Sequence, residues 1–352
     1  MKYPALISTL LWIILSLDAM AITNKNPVCM AADTGLKYRL GFPVGAAIKI
    51  RPLLNNNRYR AILIREFNSI TAENAMKFKA LHPSATIFNW SDADQLVDFA
   101  VKHQLRIHGH ALNWPKNNPK WVMEFQGDSV AWEQLLQKHI QTVVSHFKGK
   151  VSSWDVVNEA FNDNGTLRKT IWLQKLGPDY LARCFVYAHE ADPAALLFYN
   201  DYGQEYNGKK MKAILKWLGG LQREHIPIHG LGFQLHTSLR IPIPELQKSI
   251  QAVVRTGLLL HLSELDVSVR SKKGEPLLTA AASATQQAAI YRQIFTIYQT
   301  VPARQRFGIT LWGIGDQDSY RNAKDADADA PLLFDHNYQP KPAYKAVQTS
   351  GQ

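Results

Sequence analysis

The chain has 352 residues, of which 46% are hydrophobic and 20% charged, with 20 Gly and 17 Pro. That balance excludes collagen-like, low-complexity and wholly disordered proteins, and leaves room for one large domain or two medium ones. Forty Lys and Arg against 29 Asp and Glu give a net charge of +11 without any long basic run, which argues against a nucleic-acid arm and suits contact with acidic surfaces.

Residues 1–21 read as a removable leader. Lys2 supplies the positive start, Ala5 to Leu17 is almost wholly apolar, and Ala19-Met20-Ala21 offers small residues around a cleavage point. The run is too short to span a bilayer comfortably. The expectation is therefore an exported protein, in the medium or periplasm, with no membrane anchor and one mature domain over residues 22–352. Cys29 and Cys184 are the two cysteines. Cys184 falls in the apolar stripe Leu181, Cys184, Phe185 and Ala188, which places it in a core; whether it pairs with Cys29 stays open.

From residue 41 short apolar runs alternate with helical stretches. The candidate strands are Gly41–Ile48, Phe67–Ala75, Arg106–Leu112, Ser152–Glu159, Ala195–Tyr202, Gly230–His236, Leu258–Val267 and Phe307–Ile314. Several are continuous rather than alternating, as parallel strands covered on both faces should be. Leu136, Ile140, Val143 and Phe147 form one helical stripe, and Ile290, Ile294, Ile297 and Tyr298 another. Ser91 has the position of a helix N-cap, while Asp192-Pro193 and Pro302 end helices ahead of the next strand. Eight β-α units in succession predict a single (β/α)8 TIM barrel. An open doubly wound sheet fits less well, because no Gly-rich phosphate turn follows the first strand.

A barrel of this kind carries its chemistry at the C-terminal ends of the strands. There the sequence places Glu73, Asn74 and Lys77, then His108, His110 and Trp114, then Asn158 and Glu159. Asn200, Asp201 and Tyr202 follow, then Gln234 and His236, Glu264 and Asp266, and finally Trp312 and Asp316. Glu159 and Glu264 end strands on roughly opposite sides of the mouth, each next to apolar residues, where an unused charge would be costly. Two carboxyl groups flanking one bond are what glycoside hydrolysis requires. Loop capping is the bland alternative for either residue alone.

His108 and His110 share one face of their strand, and with His236 could form a metal site. Carboxylate-partnered imidazoles are the better use of His110 and His236, so no metal and no cofactor is expected. Trp114 and Trp312 are either core or platforms for the flat faces of sugar rings; beside paired carboxylates, stacking is preferred. Asp325 to Asp329 lacks the Gly and distal Glu of a calcium loop and reads as a solvated, mobile loop.

Several segments carry a resemblance: Phe67 to Lys77, Gly109 to Trp114, Trp154 to Ala160, Gly232 to His236, Ser263 to Val267, Leu311 to Gly313 and Pro331 to Asp335. Together, in this order, they resemble the glycoside hydrolase family 10 endo-β-1,4-xylanases over nearly the whole mature chain. The resemblance implies a retaining mechanism with Glu159 as acid/base and Glu264 as nucleophile. It implies that Asn158 holds the 2-hydroxyl of the sugar being cleaved, and that Gln234 and His236 orient Glu264 with Asp266 behind His236. His110, Lys77 and Trp312 would line the −1 subsite, Glu73 and Asn74 would bind the −2 xylose, and Tyr202 would stack on the aglycone side. A raised pKa is expected for Glu159 beside an ionised Glu264.

Two departures stand out. Pro115 replaces the His that often follows Trp114, and Tyr320 stands eight residues after Trp312 where a second Trp is usual. The second puts subsite shape in question. The implied partner is xylan, with the positive charge favouring glucuronic-acid-decorated chains, acted on by a monomer with no appended carbohydrate-binding module. Other readings are a related retaining barrel glycosidase acting on β-1,4-glucan, mannan or short xylosides, and a non-catalytic glycan-binding barrel.

Overall fold

The computed structural model describes residues 35–270, 278–322 and 329–351. Nine parallel strands form one sheet: β1 (Val44–Ile48), β2 (Ser69–Ala72), β3 (Arg106–Asn113), β4 (Ser153–Asn158), β5 (Leu196–Asp201), β6 (Gly230–Phe233), β7 (His236–Ser238), β8 (Leu259–Ser268) and β9 (Arg306–Leu311). Their order is β6-β5-β4-β3-β2-β1-β9-β8-β7, and pairing of β6 with β8 closes the ring. Between and after the strands run α1 (Asn57–Glu66), α2 (Ser91–Lys102), α3 (Ser129–His146), α4 (Tyr180–Ala191), α5 (Gly208–Arg223), α6 (Ile243–Val254), α7 (Ala280–Gln299) and α8 (Pro342–Gln348). This is the expected (β/α)8 barrel.

Every residue of β1, β2, β4 and β6 is buried, as their continuous apolar reading requires. The helical stripes do face the core: Leu136, Ile140 and Val143 on α3, and Ile290, Ile294, Ile297 and Tyr298 on α7, are all buried. So is the Cys184 stripe on α4; Cys29, and with it the question of pairing, lies outside the described residues, as do residues 1–21, where a leader is expected. Inside the barrel His108, Phe198, His261 and Phe307 meet at ring-centroid distances of 4.4–6.1 Å, so its lower half is a packed core rather than a pore.

Three local expectations are corrected. Gly230–His236 is two strands rather than one. Leu235 adopts φ +58 and gives its N–H to Glu205 Oε1 at 2.8 Å instead of to the ladder, which separates β6 from β7. Ser91 is the first residue of α2 and not its cap: the side chain of Asn89 accepts the Ser91 N–H at 3.2 Å. Asp329 is not solvated. It is fully buried and accepts the N–H groups of Val269 and Ala330, while residues 323–328 lie outside the described residues.

Most strands are also shorter than expected at their C-terminal ends, with Glu73, Glu159, Tyr202 and Trp312 standing just beyond them. Strand ends at a barrel mouth lack neighbours on one side, and their side chains turn inward over the opening. That is how residues from seven segments of sequence reach one cleft.

Candidate active site

A cleft of about 570 Å³ opens at the C-terminal mouth of the barrel. Glu73, Asn74, Lys77, His110, Trp114, Asn158, Glu159, Tyr202, Gln234, His236, Glu264, Trp312 and Tyr320 line it. Every residue given a catalytic, orienting or substrate-binding role from sequence is therefore on its wall except Asp266, which stands behind His236; His108, Asn200, Asp201 and Asp316, also placed at the mouth, do not line it. Lys116, Gly203, Glu205 and Tyr206 complete the lining and were given no part in the site by the sequence.

Glu264 is held from two sides. Asn200 Nδ2 donates to its Oε1 at 2.9 Å, and His236 Nε2 lies 3.2 Å from Oε2. Ser263 Oγ donates to Asn200 Oδ1 at 2.6 Å, which leaves the amide of Asn200 pointing its N–H at the carboxylate. Asn200 needs space to do this. It is in register with Gly232, where a Cβ would come within 2.3 Å of Asn200 Oδ1. On the other side His236 Nδ1 sits 2.9 Å from Asp266 Oδ2, and Arg321 Nη2 donates to Asp266 Oδ1 at 2.7 Å. Burial alone would push the imidazole down, but Asp266 and Glu264 outweigh it and push His236 up to about 10. His236 is thus an imidazolium paired with both carboxylates.

Gln234 departs from its expected place. Its Nε2 donates to Asn158 Oδ1 at 3.2 Å and Glu159 Oε1 at 3.3 Å, on the opposite carboxylate from the one it was expected to orient. The reason is the left-handed turn at Leu235, which sends Gln234 and His236 to different sides of the cleft. Asn200 takes the orienting position instead. Glu159 itself has φ +58, a conformation rarely taken by residues with a side chain and found mainly where a site requires it.

The expected upward shift of Glu159 is also reversed. Burial raises its carboxyl, but the Lys116 ammonium 2.7 Å from Oε2, helped by Trp114 and Gln234, brings the net shift below the ordinary value. Lys116 lies in the turn Pro115–Asn117, the segment where the sequence departs from its resemblance. That turn places a charge directly on the carboxylate.

At one end of the cleft Asn74 Nδ2 donates to Glu73 Oε1 at 3.4 Å, and Lys77 Nζ donates to Asn74 Oδ1 at 3.1 Å. Burial raises Glu73 against the pull of Lys49 and Lys77. Burial likewise lowers Lys77, against the pull of Glu264, Glu73 and Glu159. Its ammonium also lies 4.7 Å over the Trp114 ring. His110 Nδ1 and His108 Nε2 share Asp155, at 2.8 and 3.0 Å, which fixes the His110 ring edge-on to Trp312 at 5.4 Å. Tyr320 is 41% exposed and packs 5.2 Å from the His236 ring. At the other end Arg168 Nη2 donates to Tyr202 Oη at 2.9 Å. Glu205 is fully buried beside Tyr206, and that burial pushes its carboxyl up to about 7.

The sequence placed Asn200 at its strand end without a role; its partnership with Glu264, and the reach of Lys116 to Glu159, could have been found only by knowing strand register and loop path. Among the described residues no group of three or more His, Cys, Asp or Glu is arranged to hold a metal ion.

The pattern of glycosyl hydrolase family 10 matches residues 36–350. Endo-1,4-beta-xylanase B of Thermotoga neapolitana is 34% identical over 347 residues, covering 98% of this chain and 96% of that protein. The crystal structure of xylanase 10B from Thermotoga petrophila RKU-1 in complex with xylobiose superposes with a TM-score of 0.83 at 34% identity, over 90% of this chain and 95% of that one. Exoglucanase XynX of Acetivibrio thermocellus is 33% identical over 94% of this chain, which spans only 32% of that relative's length.

Proposed function

The chain belongs to glycosyl hydrolase family 10, and on that premise we propose that it is an endo-1,4-β-xylanase that cleaves xylan with retention of anomeric configuration. The observation that carries this reading is the pair of carboxylates in one cleft with separate partners: Glu264 with Asn200 and His236, Glu159 with Gln234 and Lys116. Glu264 attacks the anomeric carbon and forms a covalent glycosyl–enzyme while Glu159 gives its proton to the departing oxygen. Water then attacks the anomeric carbon and gives its proton to Glu159, which frees Glu264. Loss of the Glu264 charge on glycosylation lowers the proton affinity of Glu159 and suits it to act as base in this second step.

The other lining residues take roles around this pair. Gln234 occupies Asn158 Oδ1, so the Asn158 amide remains to donate to the 2-hydroxyl of the sugar being cleaved. His110, Lys77 and Trp312 enclose that sugar, Glu73 and Asn74 bind the next one, and Tyr202 stacks on the aglycone side. The leader-like pattern of residues 1–21 supports export to the periplasm or medium.

The test is a product profile on linear xylan with NMR of the first minutes of hydrolysis. A spread of xylo-oligosaccharides with the β-anomer first is expected. The α-anomer first would mean a single displacement and a wrong role for Glu264. Faster cleavage of β-1,4-glucan would replace the substrate and keep the mechanism.

Tyr320 makes a smaller prediction. A phenol covers less of a sugar ring than an indole, and a few tens of Å² at ~25 cal/mol per Å² is on the order of 1 kcal/mol. Tyr320→Trp should therefore raise kcat/KM on linear xylo-oligosaccharides about five-fold, and lower the ratio of side-chain-bearing to linear substrate. An unchanged ratio would make Tyr320 a neutral replacement.

A further inference from the structure

Lys116 combines two properties that do not belong together in a simple structural ion pair. Its ammonium touches Glu159 Oε2 at 2.7 Å, yet its side chain is 55% exposed while that of Glu159 is 7% exposed. The lysine therefore reaches the carboxylate from the solvent side, on a three-residue turn and a flexible four-carbon stem. The ammonium also lies 5.3 Å from the centre of the Tyr202 ring, so the pair sits where the aglycone sugar would stack. Arg168 approaches the same ring from the loop after β4, 5.3 Å from its centre, with Nη2 on the phenol oxygen. Lys210 lies beneath the ring but is fully buried and spent on Asp201 at 2.9 Å.

The chemistry makes this pair costly. The first step needs Glu159 as an acid, and a cation in contact favours the carboxylate. The nucleophile does not need Lys116, because His236 and Asn200 already serve Glu264. Other charged groups face Glu159 across the cleft, among them Lys77 from the β2 loop, Arg168 from the β4 loop, His236 and Glu264, but Lys116 is the one in ion-pair contact with it among the described residues. A partner that drew Lys116 away would remove the largest pull against burial and raise the proton affinity of Glu159. The group best suited to do so is a second carboxylate arriving beside Tyr202, between Lys116 and Arg168.

We propose that Lys116 is a positioning residue that holds Glu159 as the carboxylate until a uronic acid side chain on the aglycone part of the substrate takes its ammonium. The proposal rests on the retaining-xylanase reading of the cleft and adds to it a substrate class, acidic xylan, together with a way of sensing it. A neutral chain meets an acid/base residue partly tied to lysine. A glucuronic-acid-bearing chain supplies its own carboxylate, binds more tightly, and raises the proton affinity of Glu159 in the same movement.

The experiment compares the native protein with Lys116→Met and Lys116→Arg on a linear xylo-oligosaccharide and on one bearing a glucuronic acid side chain. The basic limb of kcat reports the acid in the enzyme–substrate complex. In the native protein that limb should lie at higher pH for the acidic substrate than for the linear one, by about one unit given the exposure of Lys116. In Lys116→Met the linear-substrate limb should rise until the two coincide, and the kcat/KM preference for the acidic substrate should fall several-fold. Lys116→Arg should keep both differences in part. Limbs that coincide in the native protein, or a preference that survives Lys116→Met, overturn the role of Lys116 alone. Failure of the native protein to cleave either oligosaccharide overturns the reading of the cleft, and the role of Lys116 with it.

Discussion

Glu264→Ala is expected to abolish turnover of every glycoside, activated aryl xylosides included, by roughly five orders of magnitude or more. Without the carboxylate no covalent intermediate forms, and no leaving group, however good, replaces a missing nucleophile. The fold should survive. Glu264 is 5% exposed at the open end of the barrel, and its imidazolium partner His236 keeps Asp266. Circular dichroism and a melting curve check that point. Added azide gives the stereochemical proof: a small anion in the space of the lost side chain attacks the anomeric carbon once, and one displacement inverts. The expected product is the α-glycosyl azide. Residual native-like hydrolysis, or no product of that configuration, would remove Glu264 from the role of nucleophile.

Glu159→Ala should divide substrates by their leaving groups. Xylan, whose departing alkoxide must be protonated, should slow by about 10²–10⁴-fold. An aryl xylobioside with a stable phenolate leaving group should still form the intermediate, then stall because no base activates water. Azide needs no base, so it should restore turnover and give the β-glycosyl azide after two inversions. Equal and complete loss on both substrate types would undo the assignment. The two variants thus predict azides of opposite configuration from one cleft, which tests the division of labour between the carboxylates.

The sequence carried the barrel because its signals are local and repeated. Continuous apolar strands, helical stripes such as Leu136, Ile140 and Val143, and prolines at helix ends each report on a few neighbouring residues, and eight units in succession leave little choice of closure. The candidate site was legible for a related reason. A parallel barrel sends the C-terminal ends of its strands to one mouth, so the polar residues there include most of the wall of the cleft: Glu73, His110, Glu159, Glu264 and Trp312 all line it.

What stayed hidden depends on direction and on distance across the barrel. The strand-six motif contains both Gln234 and His236, but only the left-handed conformation of Leu235 sends the first to Glu159 and the second to Glu264. Asn200 became the partner of Glu264 through a register that sets it against Gly232 and a hydroxyl from Ser263 that turns its amide. The sign of the Glu159 shift depended on a loop path, since Lys116 is 43 residues away in sequence and 2.7 Å away in space. Sequence by itself determined the barrel, its mouth and the residue types gathered there, because strand order and periodicity are properties of the chain. Tertiary structure alone decided which donor faces which carboxylate, because hydrogen bonds and ion pairs act over a few ångströms between residues that only the closed barrel brings together.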